Sequence, residues 1–448
     1  MPSEPLKRVF DEIYESFNSV PHTPGSDRRR HPEHTGQLLD HLGHPDRAYP
    51  VLMVTGSKGK GSTAYYLSEI LRAHGHRVGF FSSPGFLSDL DRIRLNGQAI
   101  SEEEFLAVWS RIRPAWRTLL DTLPEGHYMG PVGLFAVVAA EYFRSRQVSF
   151  AVIETGRGAR FDDVAQLSHR YALLTNLLPE HLRELGPTLQ DIAWHKLGIV
   201  HCETERLFLG SSCPELEEVL GQERPNWPED LTMTDLSSAI QLEDRVADTT
   251  GTRFDVVLPS GRRIPSLHLP SLGPTVDNFA VALAVSEDLL SGRLDTETVV
   301  DLAPSLVWPG RGQILCTSPY ILLDASIHHR SAQALLREAG GRFDRVVLSL
   351  PLSKDRKGIQ QAVEPFADSI VYTTCSNPYL LYEYGDLAIR PQDAIVASVH
   401  EALRGSLRGT TPHTRILWLG TVSFVADAYR HLDLGIDAAP PQAVSSVE

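Results

Sequence analysis

A run of apolar residues, a glycine-rich turn and a helical pattern follow one another directly at residues 51–71, and this order limits the folds open to the chain. The turn reads Gly-Ser-Lys-Gly-Lys-Gly-Ser from position 56 to position 62. Its glycines let several backbone N–H groups turn towards one anion, and the N-terminus of the following helix adds partial positive charge. The segment therefore predicts a phosphate-binding turn, with a flexible surface turn as the alternative.

Two side chains of this turn suit phosphate chemistry. Lys60 can neutralise phosphate oxygens, and Ser62 can offer a hydroxyl to Mg²⁺. The pattern differs from the standard G-x-x-x-x-G-K-[ST], because Gly61 takes the place of Ser or Thr and the first spacing is short. The residues predicted to bind the nucleotide here are Gly56, Ser57, Gly59, Lys60, Gly61, Ser62 and Thr63.

Strand-like and helical patterns alternate from residue 51 to about residue 200 and again from residue 313 to residue 431. Such alternation indicates βαβ units and a mostly parallel sheet. We predict an α/β fold with an N-terminal P-loop ATPase-type domain and a smaller, Rossmann-like C-terminal domain. The predicted bounds are 1–303 for the first domain, 304–312 for a Pro/Gly-rich linker, 313–436 for the second domain and 437–448 for a disordered tail.

Local patterns predict the elements within these domains. Predicted strands lie at 51–54, 77–81, 149–154, 171–176, 313–316, 320–324, 344–350, 369–373 and 415–419, with a hairpin at 253–258 and 263–268. Predicted helices lie at 62–74, 102–120, 132–146, 188–199, 276–290, 330–339, 357–366, 391–404 and 422–431, and a loop starting at residue 21 interrupts the helical residues 1–45.

Charge and composition exclude several classes of protein. A net charge of −14 argues against binding nucleic acid by bulk electrostatics. No apolar run reaches the ~18 residues that a membrane span needs, and the longest, 131–140, predicts a buried helix. The N-terminus carries acidic residues without a signal-peptide pattern, and the four cysteines are scattered, so we expect a cytoplasmic protein that binds no membrane.

Three further residues are candidates for a metal site. Glu154 ends a predicted strand, where a carboxylate can hold Mg²⁺ as a Walker-B residue does. His181 follows the next strand, although a lone histidine there is more often structural. Taken alone, Glu154 is equally consistent with a solvated carboxylate, and Lys196 with an exposed lysine on a helix.

Together these segments resemble the folylpolyglutamate synthase/dihydrofolate synthase family of the Mur ligase superfamily. The family's G-T-N-G-K-G-S corresponds to residues 56–62, its E-V-G-L-G-G-R-L-D-A-T-N to residues 154–165, and its I-T-N-I-x-x-D-H to residues 174–181. The other matching segments, in the family's order, are 83–100, 185–199, 308–313 and 353–355. The resemblance covers roughly residues 35–430.

The resemblance implies roles for individual residues. Lys60 would bind the ATP phosphates, and Lys196 would carry a carbamate, which converts a cation into an oxygen ligand for a second Mg²⁺. The implied metal ligands are Ser62, Glu154, His181 and Lys196, and the catalytic residues are Lys60, His181 and Lys196. Asn278 matches an adenine contact, and Arg311 and Asp324 match nucleotide contacts of the second domain.

The implied reaction is ADP-forming amide ligation by a monomer with ATP and two Mg²⁺ ions. A small-molecule carboxylic acid would attack the γ-phosphate to form an acyl phosphate and release ADP. The amine of an amino acid, glutamate in the family, would then attack the acyl carbon and expel phosphate. The Mg²⁺ ions and Lys60 would spread the charge of the transferring group, at a site that the resemblance places between the domains.

The chain departs from the family on the side of the organic acid. Gly85 replaces a histidine, Ile327 replaces another, and Val132, Gly133 and Ala136 replace polar groups of a substrate-binding segment. We therefore predict a ligase for an acid other than a standard folate. The alternatives are a genuine dihydrofolate/folylpolyglutamate synthase and, ranked below it, a non-catalytic nucleotide-binding homologue.

Overall fold

Residues 2–20, 31–325 and 327–435 are described by the structure, a computed structural model. The chain divides into two compact units. Unit 1 comprises Met1–Ile240 and Val281–Asp295, and unit 2 comprises Gln241–Ala280 and Thr296–Glu448. The domain boundary expected at 304–312 stays a prediction.

Unit 1 is built on an eight-stranded sheet. Its strands are β1 (Val51–Thr55), β2 (Val78–Phe81), β3 (Ile93–Leu95), β4 (Gln98–Ala99), β5 (Phe150–Glu154), β6 (Tyr171–Leu174), β7 (Arg206–Leu209) and β8 (Thr232–Asp235). They follow the order β4-β3-β2-β5-β1-β6-β7-β8, in which the pairings β4-β3 and β3-β2, at one edge, are antiparallel and the other pairings of the described strands are parallel. In register, Val54 of β1 lies opposite Glu154 of β5 and Leu173 of β6, so these three strands end at one edge.

Helices cover this sheet and supply much of its core. They are α1 (Glu4–Ser19), α2 (Glu33–His41), α3 (Lys60–Ala73), α4 (Glu102–Leu120), α5 (Pro131–Ser145), α6 (Leu182–Leu185), α7 (Leu189–Leu197) and α8 (Pro214–Glu223). The expected buried helix is α5, whose residues from Leu134 to Phe143 are all buried. Its apolar circumference suits a position inside the core and not one at the surface.

Unit 2 contains two sheets. The strands are β9 (Gln241–Asp248), β10 (Gly251–Val257), β11 (Arg263–Leu269), β12 (Gln313–Thr317), β13 (Tyr320–Asp324), β14 (Phe343–Leu348), β15 (Ala367–Thr373), β16 (Ala394–Val396) and β17 (Arg415–Leu419). The first sheet is antiparallel in the order β11-β10-β9. The second follows the order β12-β13-β17-β14-β15-β16, in which the pairing β12-β13 is antiparallel and the other pairings of the described strands are parallel. The remaining helices are α9 (Thr275–Leu289), which crosses the division between the units, α10 (Thr296–Leu302), α11 (His329–Ala339), α12 (Arg356–Val363), α13 (Val399–Leu407) and α14 (Val422–His431).

The predicted α/β fold class is confirmed by these parallel-rich sheets. The helix predicted at 391–404 is wrong at its start: residues 394–396 form β16 beside β15, and the helix begins only at Val399. Pro391 and the β-branched Ile395 and Val396 favour extended backbone there. The tail expected at 437–448 and most of the loop expected from residue 21 lie outside the described residues.

None of the helices in the described ranges combines the length and the apolar character that crossing a membrane would require.

Candidate functional site

The glycine-rich turn connects β1 to α3 in a conformation that requires glycine at two positions. Gly56 has φ +140° and Gly59 has φ +78°. A Cβ on Gly56 would lie 2.0 Å from Thr175 Oγ1, so no side chain fits there. Lys60 is the first residue of α3, and its Nζ donates to the carbonyl of Gly56 at 2.9 Å. This hydrogen bond links the two ends of the turn and places the positive charge of Lys60 at the N-terminus of α3.

Hydrogen bonds fasten the turn to the loop that follows β6. The backbone N–H of Lys58 donates to Asn176 Oδ1 at 2.8 Å, and the N–H of Ser57 donates to the carbonyl of Asn176 at 2.9 Å. The Ser57 hydroxyl bridges the N–H and the carbonyl of Leu178, each at 3.0 Å. These contacts hold the turn rigid at the carboxyl edge of the sheet, where ligands of open α/β sheets bind.

Glu154 lies against the same turn. It ends β5, is buried, and accepts from the N–H of Ser83 at 3.2 Å. A Cβ on Gly61 would lie 3.1 Å from Glu154 Oε2, so glycine at this position leaves room for the carboxylate. Ser62 follows and is buried at the start of α3. Carboxylate and hydroxyl oxygens of this kind are donors that Mg²⁺ prefers.

Glu180 stands between two lysines beside the turn. Its Oε1 lies 3.1 Å from Lys196 Nζ, and its Oε2 lies 3.4 Å from Lys58 Nζ. Burial alone raises the pKa of Glu180, but the charges of Lys196, Lys60 and Lys58 outweigh it and hold the pKa below its ordinary value. Burial is the main cause that lowers the pKa of Lys196 to about 8, and the charge of Lys60 lowers it further. Lys196 therefore loses its proton more easily than an ordinary lysine does.

Lys196 and His181 occupy very different surroundings. The side chain of Lys196 is only 1% exposed on α7, which rules out the alternative of an exposed helical lysine. His181 is exposed, directly precedes α6, and has φ +49°. Its role as a metal ligand stays a prediction.

The three residues predicted in this part of the chain belong to unit 2, and two of them, Arg311 and Asp324, lie at the turn that precedes β12. Asp324 is buried at the end of β13 and accepts from the N–H of Gly312 at 2.6 Å. The carbonyl of Arg311 accepts from the Thr275 hydroxyl at 3.2 Å, and Thr275 begins the helix α9 that carries Asn278. The structure thus gathers these residues within unit 2, while their contacts with a nucleotide stay predictions.

The sequence is similar to that of several known proteins. No family model matches the sequence. A dihydrofolate synthase/folylpolyglutamate synthase of Mycobacterium tuberculosis is 28% identical over 364 residues, which cover 77% of this chain and 74% of that protein. The Bacillus subtilis protein of the same name is 25% identical over 417 residues, which cover 88% of this chain and 93% of that protein. The chain is a homologue of the folylpolyglutamate synthase/dihydrofolate synthase family.

Solved structures of the family share the fold. The Mycobacterium tuberculosis folylpolyglutamate synthase complexed with ADP matches with a TM-score of 0.84 at 24% identity, over 98% of this chain and 99% of that chain. The Thermotoga maritima folylpolyglutamate synthase matches with a TM-score of 0.79 at 21% identity, over 96% of each chain.

Two departures from the family pattern have a steric basis in this backbone. A Cβ on Gly85 would lie 2.6 Å from the carbonyl oxygen of Ser88, and a Cβ on Gly133 would lie 2.3 Å from Thr35 Oγ1. Neither position has room for the polar side chain of the family without movement of its neighbours. Ile327 packs against the hydrophobic core of unit 2, so it also offers no polar group there.

Lys58 and Glu180 were missed as site residues by the sequence reasoning. Both have a signal in the sequence: Lys58 lies inside the glycine-rich turn, and Glu180 directly precedes His181. Opposite charges in loops that follow the adjacent strands β1 and β6 can meet at the sheet edge, as they do here. In the family pattern these positions are Asn and Asp, so the ion pair belongs to this chain's own version of the motifs.

Proposed function

We propose that this chain is an ADP-forming ligase that activates a carboxylic acid with ATP and joins it to the amine of an amino acid, glutamate in the first instance. The observation that carries the proposal is the buried Glu154 carboxylate set against Gly61 in a glycine-rich turn, with Lys60 at the N-terminus of α3. The names of the Mycobacterium tuberculosis and Bacillus subtilis relatives support the same activity.

The turn fits the phosphate groups of ATP. Its positive end combines Lys60 with the backbone N–H groups at the start of α3. The Thr63 hydroxyl is buried and finds no hydrogen-bond partner among the described residues, which leaves a donor in the first turn of this helix unsatisfied. On binding, Lys60 would exchange the carbonyl of Gly56 for phosphate oxygens and neutralise part of their charge.

The proposed metal ligands fit Mg²⁺ unequally. Ser62 and Glu154 offer oxygen donors, whereas Lys196 fits only after its amine has become a carbamate, because an ammonium group repels a cation. A lysine with a pKa of about 8 holds far more neutral amine near pH 7 than an ordinary lysine does, and the neutral amine is the form that reacts with CO₂. Mg²⁺ would supply charge neutralisation during phosphoryl transfer.

For the acid, we propose a folate-type substrate, as in dihydrofolate and folylpolyglutamate synthases. The relatives named above favour this alternative over the prediction of a non-folate acid. A ligase for a different acid remains the second candidate because of one observation: neither Gly85 nor Gly133 has space for the family's polar side chains. Loss of such groups weakens selection for a substrate that needs them as hydrogen-bond partners.

The test is ADP release by the purified full chain with ATP, Mg²⁺ and L-glutamate. Dihydropteroate or a reduced folate as acid should give turnover, which Lys60→Ala should abolish while Lys7→Ala, an exposed lysine of α1, leaves it intact. Turnover that survives Lys60→Ala would refute the site. Turnover that requires another acid would establish the second candidate, and nucleotide binding without turnover for any acid would indicate a non-catalytic homologue.

The carbamate has its own test. Lys196→Ala should lose turnover, and an added short-chain carboxylic acid should restore part of it by supplying the missing oxygen ligand. Rescue of Lys196→Ala but not of Lys60→Ala would support the carbamate, because a general electrostatic effect would act on both variants. Unchanged turnover in Lys196→Ala would refute it.

A further inference from the structure

Three histidines of unit 1 that take no part in the candidate active site meet in one cluster. His31 lies just before α2, His34 lies in its first turn, and His127 lies in the segment that precedes α5. One ring nitrogen from each of the three lies within 4.8 Å of the other two. We call these three residues the histidine cluster.

Neighbouring oxygens set the tautomers of two members of the cluster. Nδ1 of His31 lies 2.9 Å from Glu33 Oε1, and Nδ1 of His34 lies 3.0 Å from Gln37 Oε1. Carboxylate and amide oxygens only accept hydrogen bonds, so both Nδ1 atoms carry a proton. In the neutral rings the lone pairs are then on Nε2. An oxygen acceptor behind a ligating imidazole is the usual support of a protein metal site.

The third histidine donates its Nδ1–H to one of these lone pairs, and an ion that replaced this hydrogen bond would bind the tautomer of His127 whose proton is on Nε2. His127 Nδ1 lies 3.0 Å from His34 Nε2, and the rings of His31 and His127 stack with their centroids 3.6 Å apart and their planes at 21°. The ring of His34 is buried, and the side chain of His31 is 9% exposed. Imidazole nitrogens this close together can share one cation, because each neutral ring offers one lone pair.

We propose that the histidine cluster binds one divalent transition-metal ion of the zinc class through His31 Nε2, His34 Nε2 and His127 Nδ1, with water as a fourth ligand. Imidazole donors without carboxylate ligands select Zn²⁺ and its neighbours over Mg²⁺ and Ca²⁺. At Zn–N bonds of about 2.0 Å, tetrahedral ligand nitrogens lie about 3.3 Å apart, so His31 and His127 would leave their stacked arrangement and each turn one nitrogen towards the ion.

Such an ion would tie the start of α2 to the segment before α5. These parts of the chain are distant in sequence, since 93 residues separate His34 from His127. The proposal does not rest on the proposed function, because the cluster shares no residue with the candidate active site and no turnover is needed to observe it.

The experiment measures metal binding by the full chain. Chelator-treated protein is titrated with Co²⁺ and then with Zn²⁺, and bound metal is counted after desalting. We expect one equivalent of Zn²⁺, together with visible absorption bands of four-coordinate Co²⁺ that Zn²⁺ removes. His34→Ala and His127→Ala should each lose this equivalent and these bands, while the exposed His413→Ala should keep both.

A supporting residue gives a graded test. Gln37→Ala removes the oxygen behind His34 and should weaken Zn²⁺ binding about tenfold without removing a ligand. If His34→Ala fails to fold, Zn²⁺ binding is measured instead with His127→Gln, a change at a half-buried position. One equivalent of Zn²⁺ bound with unchanged affinity by both His127 variants would overturn the proposal, and so would the absence of any bound Zn²⁺ in the parent protein.

Discussion

Lys196 allows a quantitative test of the candidate site, because its amino group is buried and yet faces an acidic partner. Burial and the charge of Lys60 lower its pKa from the ordinary 10.5 to about 8. Between these two values the unfolded chain holds the proton more tightly than the folded protein does. The free energy of unfolding therefore rises with pH across this window, and the cost of burying the charge is fully present below pH 8.

We predict that Lys196→Met removes this part of the pH dependence. With pKa values of about 8 folded and 10.5 unfolded, linkage gives the parent protein a gain of about 1.4 kcal/mol between about pH 7 and pH 9. The difference in unfolding free energy, parent minus variant, should therefore shift by about 1.4 kcal/mol in favour of the parent. Methionine has a similar length, and Glu180 keeps Lys58 at 3.4 Å, so the variant should fold.

The assay is urea unfolding in CO₂-free buffers at about pH 7, 8 and 9, which keeps the amine unmodified. Tryptophan fluorescence and circular dichroism should report coincident transitions, which establishes that one transition is measured. Lys7→Met, on the exposed side of α1, is the matched control and should retain the pH dependence of the parent. A parent-minus-variant difference that stays constant within about 0.5 kcal/mol for Lys196→Met would refute the lowered pKa.

Three further predictions concern the same unit. Gly56→Ala places a Cβ 2.0 Å from Thr175 Oγ1 in a residue with φ +140°. We therefore expect the unfolding free energy measured in urea to fall by about 3 kcal/mol or more, and a decrease below about 1 kcal/mol would contradict the described turn. Gly61→Ser brings a Cβ to 3.1 Å from Glu154 Oε2 and should raise the Mg²⁺ concentration needed for half-maximal ADP release. An unchanged Mg²⁺ concentration would argue against Glu154 as a metal ligand. Burial lowers the pKa of His201 from 6.5 to about 3, so its neutral form stabilises the fold above pH 6.5 and this stability is lost on acidification. His201→Asn should therefore reduce the loss of unfolding free energy between about pH 7.5 and 5.5 by about 1.4 kcal/mol, and equal losses in parent and variant would argue against a buried neutral ring.

Much of the fold follows from short-range patterns. The helix predicted at 102–120 begins after Ser101, whose hydroxyl and Glu104 form a capping box, and these residues are visible in the sequence. β1, β5 and β6 are apolar runs followed by turn residues, so their alternation with helices predicts the parallel sheet. β16 was missed because three residues, two of them exposed, carry too little periodicity to outweigh the helical pattern beside them.

The candidate site was predictable only where its residues share a motif. Gly56, Lys60 and Ser62 belong to one short segment that follows β1, and Glu154 ends β5. Because β1 and β5 are parallel neighbours, strand order alone brings this segment and Glu154 to the same edge of the sheet. Glu180 was missed as a site residue, since nothing in the sequence gives its distance to Lys196 or Lys58. The pairing of charges across loops depends on side-chain conformations that packing selects.

The sequence by itself determined that the chain builds parallel α/β sheets and places a phosphate-type turn after its first strand. These properties depend on neighbouring residues, through backbone preferences, hydrophobic period and glycine content. Only the tertiary structure decided that Lys196 is buried beside Glu180, that Gly61 makes room for Glu154, and that His127 meets His34. Burial, steric space and electrostatic neighbours arise when distant segments pack together, and they set the pKa values and ligand geometry on which the chemistry depends.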